Sequence, residues 1–274
     1  MRLASFAGSF YPYEKEEIID FIQKNEKDIS KLKEKIVASI VPHAGWVYSG
    51  KCALYTYKNL ENFNIENIII ISTNHSSIGK VILSLEDVKT PLGKVKINKS
   101  LVKKFLELEF SEINEEIHAE EHSIEVQLPF LQYYLKDFSI VPILVSNLNV
   151  REIEELVKKL KEAYSNKTFF LFSGDFIHHG KIYGFEIFKE NKKENVRNAD
   201  MKFIECILNK DLRSFVLYAK KFYTICGYYS FQVFIEFSRE MNLKNKLLCY
   251  YNSADITNDE EIIVGYASIA AIQS

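Results

Sequence analysis

The chain has 274 residues, 47% of them hydrophobic, enough to bury one sizeable core, and no linker-like stretch divides it, so a single domain over residues 1–274 is expected. Its 35 basic and 37 acidic residues are spread along the length and leave a formal net charge of -2, which excludes nucleic acid as an electrostatically driven partner. Apolar runs stay strand-sized, far below the roughly 20 residues of a bilayer span, and residues 1–10 lack a signal-peptide pattern, so no membrane partner is expected.

In chain order, helix periodicity over residues 14–31 precedes an apolar β-branched run at 36–41. A helical segment at 51–60 then leads to strand-like runs at 67–71 and 81–85. Around Thr90-Pro91-Leu92-Gly93, residues 89–97 read as a short hairpin and are expected to be a peripheral addition. Helices follow at 100–108 and 123–135, a strand at 139–144, a helix at 150–165 and a strand at 168–172. The Lys/Asn/Glu-rich stretch 189–197 reads as a solvated loop or helix start. Helices at 195–208, 211–221 and 230–241 and strands at 246–251 and 261–269 complete the chain. Alternating buried strands and amphipathic helices predict an α/β fold, a mostly parallel or mixed central sheet covered by helices on both faces.

Three of the six histidine positions follow strand-like runs, where an open α/β sheet places its ligand crevice. His43 lies in Val41-Pro42-His43-Ala44-Gly45, His75 in Ser72-Thr73-Asn74-His75, and His178 in Ser173-Gly174-Asp175-Phe176-Ile177-His178-His179. Any one of them alone reads equally well as a loop side chain bonded to backbone. Together they suit a metal, since neutral imidazole is the commonest metal ligand and a reactive site needs about three protein ligands with a position left open. Asp175 and His178 are a candidate proton-transfer pair, the alternative being an N-cap aspartate for a short helix.

The four cysteines, Cys52, Cys206, Cys226 and Cys249, show no CxxC spacing; free thiols and a cytoplasmic location are expected. Cys226 in Ile225-Cys226-Gly227 precedes a helix whose first amides favour negative charge, which makes it the thiolate candidate. The other three fall inside helices or a strand and read as small buried hydrophobes. His118-Ala119-Glu120-Glu121-His122 has the histidine spacing of a zinc-protease helix, but Ala119 stands where that chemistry needs glutamate. Glu120 and Glu121 are expected instead to complement the positive end of the next helix, with Pro129 kinking it later. His122 and Glu125, one turn apart, read either as a functional pair or as a surface pair. The aromatic run Phe6, Phe10 and Tyr11 near the start is expected to tuck in as a pocket wall.

Ala7-Gly8-Ser9-Phe10-Tyr11-Pro12, Val41-Pro42-His43-Ala44-Gly45, Asn74-His75, Glu121-His122-Ser123-Ile124-Glu125, Ser173-Gly174-Asp175-Phe176-Ile177-His178, Ile225-Cys226-Gly227 and Val264-Gly265-Tyr266 span almost the whole chain. In that order they resemble the Memo family, also found as component B of the AMMECR-Memo-radical-SAM grouping. The resemblance implies a fold similar to class III non-haem-iron extradiol dioxygenases. It also implies a metal site with His43, His75 and Cys226 as ligands, Asp175 and His178 nearby, and His122 as a further pocket position. Two departures stand out: Tyr228-Tyr229 where relatives often carry small residues and proline, and Ser76-Ser77 where many have a second histidine or bulkier residues.

The leading expectation is a metal-dependent redox enzyme, dioxygenase-like, using iron first, with copper or zinc as alternatives, on a small organic or aromatic substrate. His122, Asp175 and His178 would serve as its catalytic groups. Two other readings remain: a non-catalytic pocket for a phosphorylated or carboxylate-bearing peptide, and a hydrolase based on zinc or on Cys226 with His178 and Asp175. The sequence sets no oligomeric state.

Overall fold

A computed structural model of the chain describes residues 1–273 except 62, 222 and 223. The chain starts with β1 (Arg2–Leu3), α1 (Lys15–Asn25), β2 (Ile36–Val41) and α2 (Trp46–Tyr57). Next come β3 (Asn67–Thr73), β4 (Val81–Leu83), β5 (Val88–Thr90), β6 (Gly93–Ile97), α3 (Lys99–Phe105) and β7 (Ser111–Ile113). Three short helices, α4 (Glu115–Glu120), α5 (His122–Glu125) and α6 (Leu128–Tyr134), precede β8 (Ser139–Val145), α7 (Val150–Glu162) and β9 (Thr168–Ser173). The remainder is β10 (His178–His179), α8 (Lys192–Leu208), α9 (Leu212–Ala219), α10 (Tyr228–Glu240), β11 (Lys244–Asn252), α11 (Ala254–Thr257) and β12 (Ile263–Ile272).

The strands form one mixed sheet of twelve among the described residues. Its centre is parallel, in the order β6-β8-β3-β9-β2, and β12 and then β11 add antiparallel strands beyond β2. Every residue of β2 and β9, and all but Asn67 of β3, is buried, as expected of strands covered on both faces. Phe170 and Phe172 pack their rings against Phe234 and Phe237 of α10, so by strand alternation Phe169 and Leu171 face the other side. The helices accordingly fall into two groups. One is α2 with α1 and α6, centred on Trp46 stacked on Phe130; the other is α10 with α7 and α9.

Register places the functional edge. Val41 pairs with Ser173 and Ser173 with Ser72, so adjacent parallel strands β2, β9 and β3 end level and release their loops at one edge. Among the described residues no helix is long and apolar enough to cross a membrane.

The structure departs from the sequence reading most informatively in the following places. Residues 123–135 form two helices, because Pro129 lies in the first turn of α6, where its missing N–H costs nothing, and it starts a helix instead of kinking one. The 89–97 hairpin is no peripheral addition: buried Val95 and Ile97 draw β6 into the sheet, where Lys96 and Ile97 pair with Ser139 and Ile140 of β8. The first helix ends at Asn25, earlier than its periodicity suggested. Asp175 caps no helix; the chain turns after it into β10, which pairs with Ile263 and Val264.

Candidate functional site

His43 follows β2 and is almost completely buried. Its backbone N–H donates to Asp175 Oδ1 at 2.9 Å, its Nδ1 lies 2.9 Å from Ser173 Oγ, and its Nε2 lies 3.1 Å from Cys226 Sγ. The network assigns the tautomer. Ser173 Oγ donates its one proton to the Ser123 carbonyl and accepts from Gln127 Nε2, so towards His43 it has only a lone pair to offer. Nδ1 therefore carries the hydrogen, and Nε2 presents its lone pair to the Cys226 thiol. Burial first, then the neighbouring His75, His122 and His178, hold this imidazole far below its usual range, so it is neutral.

His75 follows β3 and is anchored by Glu121, whose carboxylate accepts the His75 backbone N–H at 2.9 Å and Nδ1–H at 3.0 Å. Glu121 also caps α5 by accepting the Ser123 N–H. Burial opposes ionisation of Glu121, yet its bonds to His75 win and bring it down to about 2. Desolvation likewise pulls on His75, and the Glu121 hydrogen bond and charge outweigh it, so His75 titrates above its usual value. Nδ1 is committed to the carboxylate, leaving Nε2 as the lone-pair nitrogen. His122 stacks on His75 with ring centroids 4.9 Å apart and meets Phe10 in a tilted contact at 4.3 Å, and burial lowers it to about 4.

The thiol arrives through a close backbone contact. A Cβ on Gly174 would sit 2.4 Å from Gly227 Cα, so only two glycines let the loop after β9 meet the loop before α10. This contact brings Cys226 beside Asp175, whose backbone N–H donates to Sγ at 3.1 Å, while Thr73 Oγ1 donates to the Cys226 carbonyl. Burial, and then the charge of Asp175, push the thiol well above its usual range. Asp175 itself is raised to about 7 by burial, against the His43 N–H bond. His178 turns Nδ1 to the carbonyls of Phe176 and Thr224 at 3.0 and 2.9 Å, again freeing Nε2, and burial lowers it to about 4.

His43, His75, His122, Asp175 and His178 all line one cavity of about 580 Å³. Cys226 opens on a second, of about 450 Å³, with His75 on the border between them. Among the described residues, two groups each bring their potential ligand atoms within 4.8 Å of one another: His43, His75 and His122, and His43, Asp175 and Cys226. The expected trio of His43, His75 and Cys226 thus straddles two groups that share His43, and His178 falls outside both.

Several sequence expectations are redirected. Glu125 does not pair with His122; it accepts from Ser5 N, Phe6 N and Tyr11 Oη and so pins the N-terminal segment, and of the expected wall Phe6, Phe10 and Tyr11 only Phe10 lines the cavity, beside Ser9, while Tyr11 is buried in the core. The imidazole beside Cys226 is His43, so the triad Cys226, His178 and Asp175 is not assembled. His118 lies away from the cavity, its Nε2 bonded to the Ile82 carbonyl. Ser173, Gln127 and the His75-holding role of Glu121 escaped the sequence reading. Of these only Glu121 carried a signal, its place before a helix start.

A family model described as Memo-like protein matches residues 2–270. A MEMO1 family protein of Pyrococcus abyssi is 35% identical over 287 residues, covering 98% of each chain. One from Thermoplasma volcanium is 32% identical over 279 residues, covering 99% of this chain and 98% of its own. Another, from Methanosarcina mazei, is 31% identical over 277 residues with 98% of each chain covered.

Proposed function

This chain belongs to the Memo family, and from that premise we propose that its cavity holds a redox-active transition metal, iron first, on His43, His75 and Cys226, and acts on a small organic or aromatic substrate. The observation that carries the reading is the state of the imidazoles. In His43 and His75 the Nδ1–H is spent on a hydroxyl or a carboxylate, so each Nε2 offers a lone pair from a side chain held in place. The donor set fits a metal. A half-buried thiol and a buried carboxyl near neutrality beside His43 form a cluster that a cation would stabilise, at the cost of releasing the thiol proton. One soft thiolate with imidazoles favours iron, copper or zinc over magnesium.

When bound, such a metal supplies one-electron and dioxygen chemistry. The protein's own groups do the rest. Phe10, packed against His122, together with Tyr48, Tyr183 and Tyr266, forms an aromatic wall that suits a flat apolar substrate and sheds water. His178, with Nδ1–H locked to carbonyls, takes a proton at Nε2; Asp175, half-protonated near pH 7, gives or takes one at its carboxyl. The peptide reading would want cations for a phosphate or carboxylate, and the described lining of this cavity holds no lysine or arginine.

The test is elemental analysis of anaerobically prepared protein, followed by oxygen uptake with aromatic substrates. About one metal per chain is expected, lost on His43→Ala, His75→Ala or Cys226→Ala. Unchanged metal content in all three variants overturns the proposal.

A further inference from the structure

Behind the cavity wall lies a pair of side chains that the metal reading leaves unused. Cys52, fully buried in α2, and Cys249, partly buried on β11, belong to one small cluster with Val264 and Tyr266, with Ala44 and Tyr251 packed against it. Ala44, Val264 and Tyr266 also line the large cavity. The two sulfurs therefore stand directly behind that wall.

Several contacts turn them towards each other. Tyr251 Oη accepts the Cys52 N–H at 3.1 Å and donates to the Tyr48 carbonyl at 2.8 Å, so the Tyr251 face of β11 looks onto α2. Cys249, two residues earlier, projects from the same face. Cys52 Sγ lies 3.9 Å from the Cys249 carbonyl oxygen. Ser268, the cross-strand neighbour of Cys249, donates to the Cys52 carbonyl at 2.8 Å. The pairing of β11 with β12 slips between Leu247 and Cys249, and such a slip decides which face of a strand a side chain takes. The neighbouring Cys52 thiol, with help from Lys51, lowers Cys249, whereas burial, and then Cys249, raise Cys52 far above its usual range. Cys249 is thus the nucleophile of the two and Cys52 the resolving thiol.

We propose that Cys52 and Cys249 are a redox pair that closes to a disulfide when the protein meets a hydroperoxide. The Cys249 sulfur attacks one peroxide oxygen, the O–O bond breaks, and the other oxygen leaves as water or alcohol after taking a proton, so that Cys249 becomes a sulfenic acid. The Cys52 sulfur displaces that hydroxyl, which leaves as water with the Cys52 proton, and the S–S bond forms. Two thiols lose two electrons and the peroxide gains them. The bond ties α2 to β11 behind Tyr266, and neither Cys206 nor Cys226 takes part.

The full chain is treated with hydrogen peroxide, its remaining thiols are alkylated, and non-reduced peptides are mapped by mass spectrometry. The expected product is one cross-linked species joining the Cys52 and Cys249 peptides, lighter by two hydrogens and released by dithiothreitol. It is absent in Cys249→Ser, and in Cys52→Ser a sulfenic acid on Cys249 is trapped by dimedone. Wild-type protein in which Cys52 and Cys249 both stay alkylatable while Cys206 or Cys226 is oxidised overturns the proposal. So does a cross-link from Cys249 to any other cysteine. The wild-type arm decides without a variant and without the metal reading.

Discussion

Two buried histidine environments in this protein have the same electrostatics and opposite structural meaning. At the edge of the sheet, burial lowers His122 and His178 to about 4; beneath β4, burial lowers His118 to about 3. His118 gives a ring nitrogen to the Ile82 carbonyl inside packed core, whereas the edge histidines line a cavity, and His75 and His178 there spend Nδ1 on protein and keep Nε2 in reserve. Neutrality by burial is therefore no mark of function. What separates the two is an uncommitted lone pair facing open space.

That contrast is sharpest in metal content. His43→Ala is expected to cut bound metal by more than ~10-fold, whereas His118→Gln leaves it unchanged and costs about 1–3 kcal/mol of stability through the disturbed Ile82 carbonyl. Elemental analysis beside urea unfolding reads both, and metal loss in His118→Gln would erase the distinction. Glu121→Gln tests the anchoring: without its charge the carboxylate–imidazole pair weakens, and metal affinity should fall roughly 10- to 100-fold with the fold intact. Competition with a chelator measures it.

Gly174→Ala attacks the edge through backbone instead of ligands. Its methyl would meet Gly227 Cα at 2.4 Å, so the loops must separate, at a cost of about 1–3 kcal/mol and with weaker metal retention. Thermal unfolding and metal analysis should move together; a stable variant with full metal would show that the contact is dispensable. Further out, Asp200 of α8 accepts from Ile177 N at 3.1 Å and meets Tyr250 Oη at 2.8 Å, supporting the segment before His178. Burial raises it to about 8 from 3.8, so the native chain holds this proton more tightly than the unfolded one. Its stabilising contribution is full below the unfolded pKa and is lost as pH rises through about 8. Urea midpoints taken across that window should decline in the wild type and decline less in Asp200→Asn, with an effect on the order of a few kcal/mol at most. The smallest effect belongs to the surface: removing the exposed Lys167–Glu66 ion pair should change stability by less than about 1 kcal/mol and metal content not at all.

Much of this is legible in the sequence. The run at 36–41 is β2 residue for residue, and 168–172 falls one residue short of β9, because strands buried on both faces must be apolar throughout. His43 and His75 were legible for the same reason, as the first histidines after such runs. Two-residue β10 was not, since two residues carry no period. Nor was the role of Glu125, whose partners Ser5, Phe6 and Tyr11 lie more than a hundred positions away.

By itself, the sequence determined the α/β class, the order of its main elements and the set of residues able to do chemistry, because periodicity and residue type are local properties. The tertiary structure alone decided the company each residue keeps. Strand register levels Val41, Ser173 and Ser72, and two glycine backbones in contact deliver Cys226 to His43. A one-residue irregularity in β11 accompanies the turning of Cys249 towards Cys52. Each of these depends on segments far apart in the chain, so the physical information appears only when packing brings their backbones together.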